Sequence, residues 1–359
     1  MKSTLIEFEK KITQLCDYLI CWKDIQNDLM DFQQKHQIQL PESILNMIRN
    51  PNKKVFDYKL AILIIYGSFE SYIENIIEQY VSKLNSAVGA FTSLPMQIQS
   101  NHTELSARLL GFICAGYSKY EQFSSADIVE RLHSCYSSPQ NYKLNVSAFT
   151  QHTANLRINV IRELFSGIGI TGIDSLIMHN ESFVCFLKEI DPELSILLDE
   201  QQGEARYERC FQRLNDIIER RNDIAHGVDD ADDNILSTDV LLEYSNYIVE
   251  IAKSIYSIVI GEYARITILS RGNNILYLGC PISVFNNNIV CFNSRGYKIS
   301  IGDIIASMNA KNQVRVGEIK SLQIDGNFVK CIPAEDTHNF GAKINFHANK
   351  NYNYYIVKY

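Results

Sequence analysis

Residues 207–226 read YERCFQRLNDIIERRNDIAH, with a glycine at 227. Each residue of an α-helix is turned about 100° from the last. Tyr207, Cys210, Phe211, Leu214, Ile217, Ile218, Ile224 and Ala225 therefore share one apolar stripe. A helix with such a stripe buries it against other helices, which sets the fold of this part of the chain as an all-α bundle. Arg221 falls near the middle of the stripe, where an aliphatic side chain is expected. A guanidinium in that position requires a partner or a purpose, because an unpaired buried charge is strongly destabilising. Asn222 lies at the edge of the stripe, His226 lies a turn beyond on the same side, and Gly227 is a natural helix stop. The negative end of the helix dipole at His226 favours a protonated ring.

Arg221 and His226 are five residues apart, about 140° around the helix, so they do not stack as an i,i+4 pair does. They converge only through the length of the arginine, or when a second copy of the helix brings its own pair into one cleft. The second arrangement fits a two-fold homodimer with a composite active site.

Upstream, residues 3–37 carry apolar residues at threes and fours (Leu5, Phe8, Ile12, Leu15, Leu19, Trp22, Ile25, Leu29, Phe32) and read as a long amphipathic helix. Pro41 and Pro51 bracket a short helical piece, and a second long helix runs from about Phe56 to Ala87. Shorter helices are expected over 104–117 and over 125–136, the latter capped at Ser125. NLRINVIRELFSGIGI, residues 155–170, reads as a helix closed by Gly167 and Gly169, and 237–260 reads as another. After Gly261 the pattern changes to short β-branched and aromatic runs: ARITILSR, NILYLG, NNIVCFN, YKISIGDIIAS, QVRVGEIKSLQI, NFVKCI and YNYYIVKY. Arg271-Gly272-Asn273 and Asp325-Gly326-Asn327 supply turn chemistry between them. The expected organisation is an N-terminal helical extension (1–50), a helical domain (51–262) and a small C-terminal β-barrel or sandwich (263–359), a multi-domain α + β chain.

The formal net charge of −7 over 359 residues shows no basic tail, so any nucleic acid must be handled at a local basic site. The nine cysteines occur singly, without a CxxC or a histidine at ligand spacing, which argues against a zinc site and a disulfide framework and for reduced, buried thiols. No metal site and no cofactor are expected. The N-terminus MKSTLIEFEKK lacks a signal-peptide core, and the apolar run near 60–66 falls far short of the roughly 20 residues of a membrane span. The expectation is a cytoplasmic protein without a membrane partner.

ERRNDIAHG resembles the R-x4-6-H signature of HEPN domains, with Arg221 as the arginine, Asn222 as the polar residue after it and His226 as the histidine. AILIIYGSFESYIENII resembles the opening core helix of the RiboL-PSP group of that superfamily, and residues 155–170 are similar to a segment between its two halves. The resemblance covers roughly residues 50–260. It implies a metal-independent endoribonuclease, in which the RNA 2′-hydroxyl attacks the adjacent phosphodiester and leaves a 2′,3′-cyclic phosphate. His226 would serve as acid or base, Arg221 would neutralise the phosphorane, and Asn222 would orient one or the other. Relatives of this kind serve as toxins or effectors in bacterial defence against phage. Others are non-catalytic scaffolds or partner subunits of nucleotidyltransferases and ATPases, and the acidic net charge leans that way.

A structural role stands beside each of these. Glu70 and Glu74, four apart on one face of the second helix with Leu63, Gly67 and Ile77, are the carboxylates expected to hold Arg221 in an ion pair. His226 alone reads as a helix cap. Arg220 points off the stripe and reads as a solvated residue within reach of an RNA backbone. Asp229, Asp230, Asp232 and Asp233 read as a polar loop, lacking the glycine and terminal glutamate of a calcium loop. The remaining histidines, His152 among them, read as incidental. In the β region, Lys298, Lys311, Arg315, Lys320 and Lys330 with Tyr352, Tyr354 and Tyr355 suggest base stacking, sheet building, or docking of a regulatory protein partner.

Overall fold

A computed structural model describes the chain except residues 153, 192–203, 228–233, 294–295, 335–338 and 359. The acidic loop Asp229–Asp233 lies outside the described residues. The helices are α1 (Lys2–His36), α2 (Glu42–Arg49), α3 (Pro51–Ala87), α4 (Met96–Cys114), α5 (Ser125–Ser137), α6 (Ile158–Gly167), α7 (Ile173–Met178), α8 (Glu181–Ile190), α9 (Glu204–His226) and α10 (Thr238–Leu269). They pack into two compact units. One holds Met1–Ile76, His152–Phe165 and Thr171–Tyr256, and the other holds Ile77–Gln151, Ser166–Ile170 and Ser257–Tyr359.

In the first unit α3 is the central helix: Ala61, Ile62, Ile65, Ile73 and Ile76 are fully buried at threes, fours and eights. α1 buries Leu5, Phe8, Ile12, Leu15 and Leu19, while its second half leaves Ile25 and Phe32 exposed. α9 buries Cys210, Phe211, Leu214, Ile217 and Ile218, against which α10 offers Tyr247, whose hydroxyl donates to the Cys210 carbonyl at 2.7 Å. The stretch Glu42–Ala87 is long and apolar enough to cross a membrane, although the 60–66 run alone is not. Half of its most apolar window is buried inside the fold, as befits the core helix of a bundle.

In the second unit α4 and α5 enclose a small core of Leu109, Tyr120, Ile128 and Ala148. The cap of α5 is Ser124 rather than Ser125; its hydroxyl accepts from the Asp127 amide at 3.4 Å. The C-terminal strands are β1 (Ile275–Gly279), β2 (Ser283–Phe285), β3 (Ile289–Asn293), β4 (Ile299–Ser300), β5 (Ile304–Met308), β6 (Val314–Ile324), β7 (Asn327–Val329), β8 (Cys331–Ile332), β9 (Asn339–Ile344) and β10 (Asn353–Val357). They form an antiparallel sheet in the order β1-β10-β5-β6-β9-β3-β2 with β7 beside β6, plus a β4-β8 pair. The strand path has two free ends, so it does not close as a barrel. Its core includes Val290, Phe292, Ile305, Leu322, Phe340, Ala342, Tyr354 and Ile356. Asp325 and Gly326, both at positive φ, make the two-residue turn between β6 and β7.

Three further differences from the sequence readings appear. ARITILSR is helical: α10 runs through Gly261 to Leu269, because Val259, Ile260, Tyr263, Ala264 and Ile266 are buried at helical spacing. That burial outweighs the roughly 1 kcal/mol that one glycine costs a helix. Tyr354 is a core residue, its hydroxyl donating to the Asn349 carbonyl at 3.2 Å, and so is no stacking platform. Of the nine cysteines, all free, only Cys135 and Cys210 are buried, and five are exposed.

Candidate active site

The last two turns of α9 leave the core. Burial is complete at Ile217 and Ile218, partial at Arg221, Asn222 and Ile224, and lost at Ala225 and His226. Arg221 therefore stands at the rim of the apolar stripe, not within it. Gly227, at φ +64°, ends the helix in the left-handed conformation that glycine adopts without strain.

Arg221 is not held by a carboxylate. Its Nη1 donates to Asn222 Oδ1 at 3.3 Å and to Asn155 Oδ1 at 3.5 Å, and its guanidinium carbon lies 4.9 Å from the centre of the Tyr66 ring. Asn155 Nδ2 donates to Asn222 Oδ1 at 2.9 Å, which fixes both amides. Nε and Nη2 of Arg221 donate to no described residue. The ion pair expected with Glu70 or Glu74 is absent among the described contacts. Glu70 instead accepts from the Tyr66 hydroxyl at 3.0 Å, and Glu74 meets His152 Nε2 at 3.1 Å. Burial first, and then the charge of Glu70, push the Tyr66 phenol up to about 12, so it remains a donor. A guanidinium beside neutral amides and an aromatic face has donors to spare for an incoming anion.

Arg220 differs from its neighbour and from its sequence reading. It is largely enclosed, and Nε donates to Asp216 at 2.7 Å. Nη1 donates to the Tyr58 hydroxyl at 3.1 Å and to the Asn234 carbonyl at 2.7 Å. Burial works against its charge, but the bonds to Asp216 and Tyr58 outweigh that and raise its pKa. Arg220 is a structural clamp because α9 packs that face toward α3. A cleft of about 1000 Å³ lies beside it, lined among others by Arg213, Asp216 and Glu243. Its arginines are paired, Arg213 with Glu243 at 2.6 Å, and neither Arg221 nor His226 borders it.

His152 was overlooked by sequence because it lies in an irregular segment with no periodicity around it. Its Nδ1 faces the Ala154 carbonyl at 2.9 Å and its Nε2 faces the Glu74 carboxylate, so both ring nitrogens meet acceptors. The hydrogen bond it donates to Glu74 raises its pKa against the opposing effect of burial, helped by the Ala154 carbonyl and the charges of Glu74 and Glu70. The same segment carries Asn155 and Leu156, whose amide donates to the Tyr66 hydroxyl at 3.4 Å. The structure thus gathers Tyr66, Glu70 and Glu74 of α3, His152 and Asn155 of the segment, and Arg221 and Asn222 of α9. His226 stands exposed at the helix end, with no hydrogen bond to a described residue.

The family model described as RiboL-PSP-HEPN matches residues 23–261, beginning within α1 and ending within α10. No curated protein and no solved structure matches the chain. The match spans well over half of the 359 residues, and the chain belongs to the RiboL-PSP-HEPN family.

Proposed function

We propose that the chain is a metal-independent endoribonuclease acting through Arg221, Asn222 and His226. HEPN domains are often ribonucleases, which supports the coarse reading. One observation carries the finer one: Arg221 is positioned by two amides and an aromatic ring, while Nε and Nη2 donate to no described residue. Structural arginines in the same helix, such as Arg220 and Arg213, are tied to carboxylates.

In the proposed reaction the RNA 2′-oxygen bonds to phosphorus as the bond from phosphorus to the 5′-oxygen breaks. The hydroxyl proton passes to a base and the leaving oxygen takes one from an acid, giving a 2′,3′-cyclic phosphate and a 5′-hydroxyl. Arg221 donates paired hydrogen bonds to the non-bridging oxygens, whose charge grows in the transition state. His226, exposed at the end of the helix, exchanges the proton. Because His226 has no hydrogen bond to the Arg221 cluster among the described residues, the proposed working site combines two copies. An apolar face of α3 supports such pairing: Phe56, Leu60 and Leu63 are exposed on the face that continues into Glu70 and Glu74. A role as toxin or effector in antiphage defence in the cytoplasm, with the β region meeting a regulatory partner, follows from analogy alone.

The second reading, a non-catalytic scaffold, draws on the same lack of a described hydrogen bond between His226 and Arg221 and on the net charge of −7. Incubation of a mixed RNA pool in chelator, followed by end-group analysis, separates the two. Cyclic-phosphate ends, absent when the substrate is 2′-O-methylated, support the nuclease. Intact RNA across salt and pH favours the scaffold.

A further inference from the structure

His152 is fixed at both ring nitrogens: Nε2 at 3.1 Å from Glu74 on α3, and Nδ1 at 2.9 Å from the carbonyl of Ala154 in its own segment. Its side chain is only 10% exposed, so it does not offer itself to substrate. What it does is pin an irregular segment to a helix. Three residues after His152, Asn155 reaches the end of α9, donating to Asn222 and accepting from Arg221 Nη1. Two residues further, Arg157 Nη1 approaches Glu219 of α9 at 3.5 Å. Around Arg221 every described hydrogen bond leads to Asn222 or into this segment, and the segment in turn hangs on α3 through His152 and Tyr66.

We infer that His152 is a positioning residue for Arg221, acting through Asn155. It rests on the reading of Arg221 as the phosphate-stabilising group. An irregular segment has no ladder of backbone bonds to fix it, so its placement depends on side-chain anchors. The geometry suits this role: a ring held between a carboxylate and a carbonyl cannot rotate without losing a charge-assisted bond. Releasing it frees Asn155 to swing and leaves Nη1 of Arg221 with Asn222 alone, displacing a group whose value lies in preorganisation. Small misplacements of such groups slow reactions by up to about a hundredfold.

The test follows the Arg221 side chain directly and then its work. The Arg221 Nε–H resonance is assigned by its loss in Arg221→Lys and recorded in folded wild type, His152→Ala and His152→Gln. It should shift or broaden in His152→Ala and lie closer to wild type in His152→Gln, which keeps a donor toward Glu74. An unchanged resonance in both variants overturns the inference, whether or not the protein cuts RNA. In the cleavage assay His152→Ala should lower kcat by roughly ten- to a hundredfold with a smaller change in KM. The same substitution should cost nothing further in an Arg221→Ala background. Equal losses in both backgrounds would make His152 an independent structural residue and overturn the inference. Failure of the nuclease reading shows separately, as cleavage indifferent to Arg221→Ala alone.

Discussion

Arg220 and Arg221 leave α9 about 100° apart and meet opposite surroundings. Arg220 is closed in by Asp216, the Tyr58 hydroxyl and the Asn234 carbonyl, whereas Arg221 touches two neutral amides and the face of Tyr66. One arginine holds the helix in place, and the other has donors to offer. The division suits adjacent residues of one type to the different roles proposed for them.

Arg220→Ala should therefore cost stability. Among the described residues it leaves Asp216 with only the Tyr244 hydroxyl at 2.8 Å, and it opens three hydrogen bonds. A loss of about 2 kcal/mol is expected in urea unfolding, from the usual value of bonds to a charged group. An unfolding midpoint equal to wild type would remove the structural role assigned to Arg220.

Asn222→Asp probes the neutrality around Arg221. A carboxylate at that position would pair with the guanidinium and compete with phosphate for it, while still accepting from Asn155. Cleavage should fall by roughly tenfold or more with stability unchanged or raised, because part of the transition-state interaction is already satisfied. Full activity in Asn222→Asp would show that the charge of Arg221 does not act on the phosphate.

The helix that carries Arg221 was legible in sequence because burial imposes a 3.6-residue period, and Gly227 marks its end through a φ of +64°. The partners of Arg221 were not. Glu70 and Glu74 sit on the expected face of α3, but a charge-to-charge pairing rule could not foresee that Tyr66 and His152 would engage them first. His152 lies in a segment without period, where only tertiary contacts give a residue its meaning. Asn155, which the sequence reading places at the start of a helix over 155–170, lies ahead of α6, which begins at Ile158. In the β region, strand β9 escaped notice because Gly341 and Ala342 stand where strand-formers are expected. It nonetheless lies between β6 and β3, and a Cβ at Gly341 would come within 3.9 Å of Cys291 Sγ. The end of α10 was misplaced because β-branched residues at 266–268 suit a strand as well as a buried helix.

His102 predicts the acid response of the fold. It is fully buried, and its Nε2 accepts the Asn145 amide at 2.9 Å, which requires the neutral ring. Burial lowers its pKa from 6.5 to about 4. The unfolded chain thus binds a proton that the folded chain refuses, so its contribution is fully present above pH 6.5 and lost as pH falls toward 4. The shift corresponds to about 3 kcal/mol. His102→Gln, which keeps an acceptor for Asn145, should flatten this part of the stability curve relative to wild type. Identical slopes in urea unfolding between pH 6.5 and 4 would contradict it.

Mixing tests the two-copy site. Arg221→Ala and His226→Ala should each be inactive alone. Mixed in equal amounts and allowed to exchange, they should recover about a quarter of wild-type activity, since half the dimers are mixed and each has one intact site. No recovery, with exchange shown by mass-labelled subunits, would place Arg221 and His226 of the same chain in one site.

The decisive measurement compares single-turnover RNA cleavage in chelator by wild type, Arg220→Ala and Arg221→Ala at a temperature where all three are folded. The account predicts that Arg221→Ala loses roughly 100- to 1000-fold with an unfolding midpoint close to wild type, the usual effect of removing one transition-state donor. Arg220→Ala should keep most of its rate despite lower stability. Cleavage by Arg221→Ala at the wild-type rate would contradict the assignment of Arg221 to the chemistry.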